Sequence, residues 1–439
     1  MTTGTGKRIG VALVTTVAAA VTLTLSAAGQ NTYEVWAIDQ SNSPGKTYGG
    51  TLYIWDGHDL ENKHRAPTAV AERIDLGGAA AALCLARTGT HPVRPHMIAV
   101  NPSQTHAIIS FVATGHVLFV RAATREPVAC FRTSSGAGGA RQAHMSTPSA
   151  DETYVTVANQ NGKLFERILT NYASETFVHD LPATLNLSTC VTPNGLPCQD
   201  AVLRPDNAPI CPITESTSRF TFVTLRGGGL FVVDSRSTPM RIVGEYDQQT
   251  VHGNGCLGAE TMGKMYIDSG GGTAANLNQA DLYAFPIDGY SAANPPNVPQ
   301  PRFVFSDPSE GADAHGAALT KHGKYLWIAD RGRNFLWAVD TVTDQIANII
   351  PLVSDASDDP TPDLLAVSPN GSHAFISLRG PNPLTADPHV STGSTPGVGI
   401  LKVTEGGRSG IFEAVAPVSN VDAVGVERAD VHAMTLRVK

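Results

Sequence analysis

The chain has 439 residues, a formal net charge of −8 and only 16% charged side chains. That balance argues against nucleic acid as a main partner, because binding a phosphate backbone calls for a surplus of Lys and Arg. Length alone suggests two or three domains, but no Pro/Gly/Ser linker separates unlike halves, and an array of repeats can form one large domain.

The first element is apolar. Lys7 and Arg8 precede the run IGVALVTTVAAAVTLTL, and the small residues SAAGQ follow it. Positive, apolar and small in that order is the pattern of a secretory signal peptide, with Ser26 and Ala28 suited to the cleavage site. The alternative is an uncleaved anchor, because the run approaches spanning length. Its Thr and Ala content and its small-residue ending favour cleavage. Residues 1–29 are thus expected to be a signal peptide and 30–439 a single secreted or periplasmic domain, off the membrane once the signal is removed.

From Thr32 the chain turns into short runs rich in β-branched and aromatic residues, bounded by Gly, Asn, Asp or Lys. Such runs read as strands and turns. TYEVWAIDQ, GGTLYIWDG and VAERIDL supply a second, third and fourth strand with no first. Complete four-strand units then open at His96, at His144, near Ile210, at His252, at His315 and at Asp363. The clearest, AHGAALTKHGKYLWIADRGRNFLWAVDTVTDQIANIIPL, runs from Ala314 to Leu352. The starts lie roughly 40 to 70 residues apart, near the period of propeller blades. The C-terminal ADVHAMTLRVK has the look of a first strand with no continuation. Joined to the N-terminal fragment it makes a seventh blade, and closing the ring removes exposed sheet edges. The expected fold is all-β, one seven-bladed β-propeller.

Six cysteines in an exported chain allow three disulfides, in any of fifteen pairings. Cys84 and Cys130 fall before and within the second blade, so a local bridge between them is expected. Cys190 and Cys198 flank VTPNGLP and are placed to pair across that turn. Cys211 and Cys256 then fall on first strands of adjacent blades, close to the axis. For these two a structural bridge is favoured over copper or thiolate chemistry, since no CxxC or CxxCH spacing occurs.

In a propeller the first strand of each blade lines the central channel. The residues opening those strands are His96, His144, Ile210 or Cys211, His252, His315, Asp363 and His432. Imidazole and carboxylate donors recurring in phase suit Zn, Cu, Fe or Ni. The competing reading is that they are repeat positions holding loop backbone or channel water. Long loops between second and third strands, Asp39 to Gly50, Ser269 to Asp281 and Arg379 to Gly397, return to the same face, where binding groups commonly sit. The last carries Asp387 and His389. Arg226, Arg331 and Arg379 open three of these turns and would together favour an anionic ligand, unless each pairs with a neighbouring Asp.

The units DLLAVSPNGSHAFISLRG and HGAALTKHGKYLWIADRGRNFLWAVDT resemble YVTN-type repeats of exported bacterial seven-bladed propellers. They are similar to the lactonase-like and cytochrome d1-like propeller superfamilies. The resemblance covers most of the mature chain and is one of repeats, so it implies the fold. Lactone hydrolases, lyases, haem d1 carriers and surface proteins share it. A histidine ring on seven blades is also similar to the copper sites of nitrous oxide reductase and of the selenium-binding, methanethiol-oxidising proteins.

No GxSxG elbow, Walker A loop or HExxH helix occurs. Two readings lead. The first is a metal-dependent exported oxidoreductase with copper, iron or zinc held by His96, His144, His252, His315 and His432, and with Asp363 or His389 completing the site or acting as acid/base. The second is a metal-free propeller binding a small-molecule or anionic ligand, or a partner, on its loop-rich face through Arg226, Arg331 and Arg379. A lactonase-like hydrolase is a third.

Overall fold

The computed structural model describes residues 1–4, 32–271, 277–293, 298–385 and 392–439. Most of the expected signal peptide lies outside the described residues, as do Asp387 and His389. No helix among the described residues is long and apolar enough to cross a membrane.

Residues Thr32–Lys439 form one compact unit of seven antiparallel sheets, each a four-stranded blade (the third carries a short fifth strand). Blade 1 joins both ends of the chain: Val431–Val438 is innermost, followed by Tyr33–Asp39, Thr51–Asp56 and Glu72–Asp75. Closure runs in register, with Val35 opposite Leu436 and Ala37 opposite Met434. The innermost strands of blades 2 to 7 are Pro95–Val100, Ala143–Pro148, Pro209–Thr214, Gly258–Thr261, Ala314–Leu319 and Pro362–Val367.

Each blade buries both faces against its neighbours, so the middle strands are mostly apolar and the few charges they carry, such as Glu166 and Asp268, are buried. In blade 6, YLWIAD is wholly buried, whereas the outer strand QIANIIP is half exposed. Trp36, Leu52 and Ile54 of blade 1 pack on Met97, Ile109 and Leu118 of blade 2. Trp327 packs on Ile376 and Leu401 across the next-to-last seam, and its indole N–H donates to the Gly407 carbonyl at 2.8 Å. A fully buried aromatic of this kind contributes about 3 kcal/mol or more against truncation.

One element was not expected from the sequence. AAAALCLART, Ala79–Thr88, is a helix lying between blades 1 and 2, ended by Gly89 in the left-handed conformation at φ 77°. Ala-rich composition favours it, and Gly at that position accepts the turn without a Cβ clash. It carries Cys84 to Cys130 on the outer strand of blade 2, where the expected disulfide is formed; Cys190–Cys198 is formed as well. The bridge expected between Cys211 and Cys256 is not formed: both are free thiols in this structure, with their sulfurs 3.1 Å apart.

Candidate metal centre on the propeller axis

The inner strands do not run straight to the axis. In blades 2, 3, 4, 6 and 7 the pairing with the second strand slips at the upper end, between Pro95 and Met97, Ala143 and Met145, Pro209 and Pro212, Ala314 and Ala317, and Pro362 and Leu365. Blade 1 slips likewise opposite Ile38 and Asp39. His96, His144, Ile210, His315, Asp363 and His432 therefore all sit in β-bulges. A bulge bends its strand and re-aims a side chain. Five of these residues, His96, His144, Ile210, His315 and His432, line the axial cavity, and Asp363 lies behind it against His315 and His432.

The result is a narrow, partly open cavity of about 40 Å³ on the axis, lined by His96, His144, His315, His432, Cys256 and Arg379 among others. That is room for a water molecule or an ion. His315, Asp363 and His432 each offer a donor atom, and the three atoms lie within 4.8 Å of one another. His432 Nε2 stands 3.7 Å from Asp363 Oδ2. The Nδ1 of His315 is in direct contact with Asp363 Oδ1 as a buried pair.

The surrounding bonds assign the tautomers. His432 Nδ1–H donates to the His96 carbonyl at 3.0 Å, which leaves its Nε2 unprotonated toward Asp363. His96 Nδ1–H donates to Gln40 Oε1, and the Nε2 atoms of His96 and His144 meet at 3.2 Å. The rings of His96 and His432 stack with centroids 3.8 Å apart. Ser377 Oγ donates to the His432 carbonyl at 2.8 Å and accepts from Leu364 N–H at 2.9 Å, so one hydroxyl pins the bulges of blades 1 and 7 together.

Burial holds the His96 and His432 imidazoles well below their ordinary range, and neighbouring His, Arg331 and Arg379 charges push in the same direction. His315 is lowered by burial and by Arg331, against the pull of Asp363. Burial pushes the Asp363 carboxyl up, but His315, His432 and Arg331 outweigh it and hold it well below the usual carboxylate range. At neutral pH the lowered imidazoles are neutral, and Arg331 and Arg379 are the cations that remain beside the Asp363 carboxylate; neutral imidazole and carboxylate are the forms that bind a metal ion.

The three arginines are accounted for by carboxylates. Arg379 makes a fork to Asp430, at 2.6 and 2.9 Å, and reaches Asp363 Oδ2 at 3.0 Å. Arg331 pairs with Asp313 at 2.9 Å, and Arg226, well off the axis, pairs with Asp206 at 2.6 Å. The two arginines that line the cavity, Arg331 and Arg379, are paired behind the lining with three carboxylates, Asp313, Asp363 and Asp430, so they bring no excess of positive charge.

His252 is not brought to the cavity. The inner strand of blade 5 is only Gly258–Thr261, and the axial position there belongs to Cys256; His252 lies further up, half exposed, bonded to Asp281. Gln40 and Gln160 line the cavity without having been anticipated. Their signal was available: each directly follows a second strand, as Arg226, Arg331 and Arg379 do. The loop from Arg379 reaches the axis through Thr385, whose hydroxyl accepts from Gln40 Nε2.

No family model matches the chain, and no curated protein does. Solved structures match it over nearly its full length. The periplasmic gluconolactonase of Pseudomonas aeruginosa has a TM-score of 0.56 at 13% identity, covering 93% of this chain and 99% of that one. A protein from Lactobacillus plantarum has a TM-score of 0.57 at 10% identity, covering 92% and 99%. Apo AztD from Citrobacter koseri has 0.50 at 8% identity, covering 92% and 98%. At such identities the likeness is one of fold.

Proposed function

We propose that this propeller binds a divalent first-row transition metal on its axis, through His315 Nδ1, an Asp363 oxygen and His432 Nε2. The observation that carries the reading is the convergence of these three buried donors within 4.8 Å, aimed by separate bulges of blades 6, 7 and 1. Two imidazoles and a carboxylate suit zinc or iron(II) and leave positions open. His96 acts on the site from outside: its carbonyl holds His432 in the right tautomer, as outer groups do around metal-bound imidazoles. A bound ion would supply Lewis acidity, and iron or copper would add electron transfer, the oxidoreductase chemistry expected from the sequence.

Titration of tag-free, chelator-stripped protein against a chromophoric competitor tests this. Zinc is expected to bind with affinity weakened by more than about 100-fold in His315→Ala and in His432→Ala. Equal affinity in both variants and the parent would overturn the assignment. His252→Ala, off the axis, serves as the control that leaves affinity unchanged.

A second reading, lactone hydrolysis, is favoured by the full-length match to a gluconolactonase fold. An assay of gluconolactone opening above the spontaneous rate decides it, and loss of that activity in Asp363→Asn would place the reaction at this same site.

A further inference from the structure

Two thiols beside the axial donors have no part in the metal reading. Cys211 sits in the bulge of the blade 4 inner strand, and Cys256 two residues ahead of the blade 5 inner strand. Both are buried, and their sulfurs lie 3.1 Å apart. A bonded pair would stand at about 2.04 Å, so about 1 Å of movement separates the thiols from a disulfide. Cys256 lines the axial cavity, whereas Cys211 lies behind it among Ile210, Met145 and Leu257.

The seam they span is well packed further out, where Phe222 and Val232 of blade 4 meet Met265 and Phe285 of blade 5, but thin at its inner end. With only four residues in its inner strand, blade 5 lacks the upper part that the other blades extend toward the axis. Near the thiols the two blades are held by the Thr224 hydroxyl donating to the Gly255 carbonyl at 2.6 Å. A covalent link here would join blades 4 and 5 where strand packing is missing.

We propose that Cys211 and Cys256 are a redox-active dithiol that closes to an inter-blade disulfide, with a small peroxide as oxidant. Cys256 lines the cavity and Cys211 does not, so a peroxide entering there meets Cys256 first, and because burial holds both thiols protonated, loss of the Cys256 proton is part of that step. Cys256 Sγ bonds to one peroxide oxygen as the O–O bond breaks, giving a sulfenic acid and releasing water. Cys211 Sγ then displaces that hydroxyl as a second water, forming the S–S bond. The two thiols lose two electrons and two hydrogens, and the peroxide is reduced to two waters.

The test counts thiols and is run in chelator, so it stands independently of metal binding. Full-length protein with its two disulfides intact and Cys211 and Cys256 as free thiols is treated with hydrogen peroxide, then alkylated under denaturing conditions. The expected result is no alkylation, an intact mass lower by that of two hydrogen atoms in addition to the two disulfides already present, and a cross-linked Cys211–Cys256 peptide. In Cys211→Ser, Cys256 is expected to stop at a sulfenic acid that dimedone traps. Alkylation of both cysteines after treatment, or oxidation of Cys256 to the sulfinic acid without cross-linking in the parent protein, would overturn the proposal. The parent protein's result decides even where the variant fails to fold.

Discussion

Asp268 is a buried carboxyl whose Oδ1 accepts from the backbone N–H groups of Cys256 and Leu257 at 3.2 and 3.0 Å, while its Oδ2 has no hydrogen-bond partner. Burial pushes it up to about 8. The native state therefore keeps a proton that the unfolded chain releases above about pH 3.9, and stability falls as pH rises from there to about 8. Asp268→Asn keeps the accepting oxygen and removes the ionisation. It is expected to raise stability by on the order of 3 kcal/mol at pH 8 and to leave it unchanged near pH 4, as read by denaturant unfolding at the two pH values. A variant less stable at pH 8 would mean that Oδ2 is satisfied as an anion. Asp363 is the opposite case, a carboxyl held below the usual carboxylate range, with the Arg331 and Arg379 guanidinium groups beside it.

Among the elements, the bulge decides what the site is. Phase along the sequence made His96, His144, His315, His432 and Asp363 legible as one set, because each follows a turn and opens a run of strand residues. Phase could not reveal that blade 5 starts its inner strand late, so His252 reads as equivalent when Cys256 takes its place. Nor could it show Gln40 and Gln160, whose amides matter through contacts between blades that are distant in sequence. The bulge of blade 6 depends on Gly316: a Cβ there would lie 2.0 Å from the Asp363 carbonyl oxygen. Gly316→Ala must push blades 6 and 7 apart at the cavity. It is expected to cost about 1–3 kcal/mol and to weaken zinc binding at least about tenfold. Unchanged affinity in a folded variant would show that the two bulges need not touch.

At the scale of the molecule the ring closes through Val431–Val438, which pairs with Tyr33–Asp39 and also delivers His432. Closure was legible because both ends of the chain carried incomplete units, and strands must pair. The Ala79–Thr88 helix was less so, since a short Ala-rich run between strands gives little periodic signal until its disulfide partner is in view. Ala433 is fully buried in the core between blades 1 and 2. Ala433→Asp is expected to cost about 3 kcal/mol or more and to lower the melting of the whole ring in one transition, because an opened ring exposes two sheet edges. A calorimetric scan that shows only a minor early transition, with the main one unmoved, would mean the closing strand is dispensable.

The axial donors matter only if an ion joins them. Elemental analysis of tag-free protein, stripped, reconstituted with zinc or iron(II) and desalted, measures that directly. About one equivalent per chain, lost when His315 and His432 are both replaced by Ala, is the result expected for a three-ligand site. Less than about a tenth of an equivalent of either metal in the parent protein would contradict it.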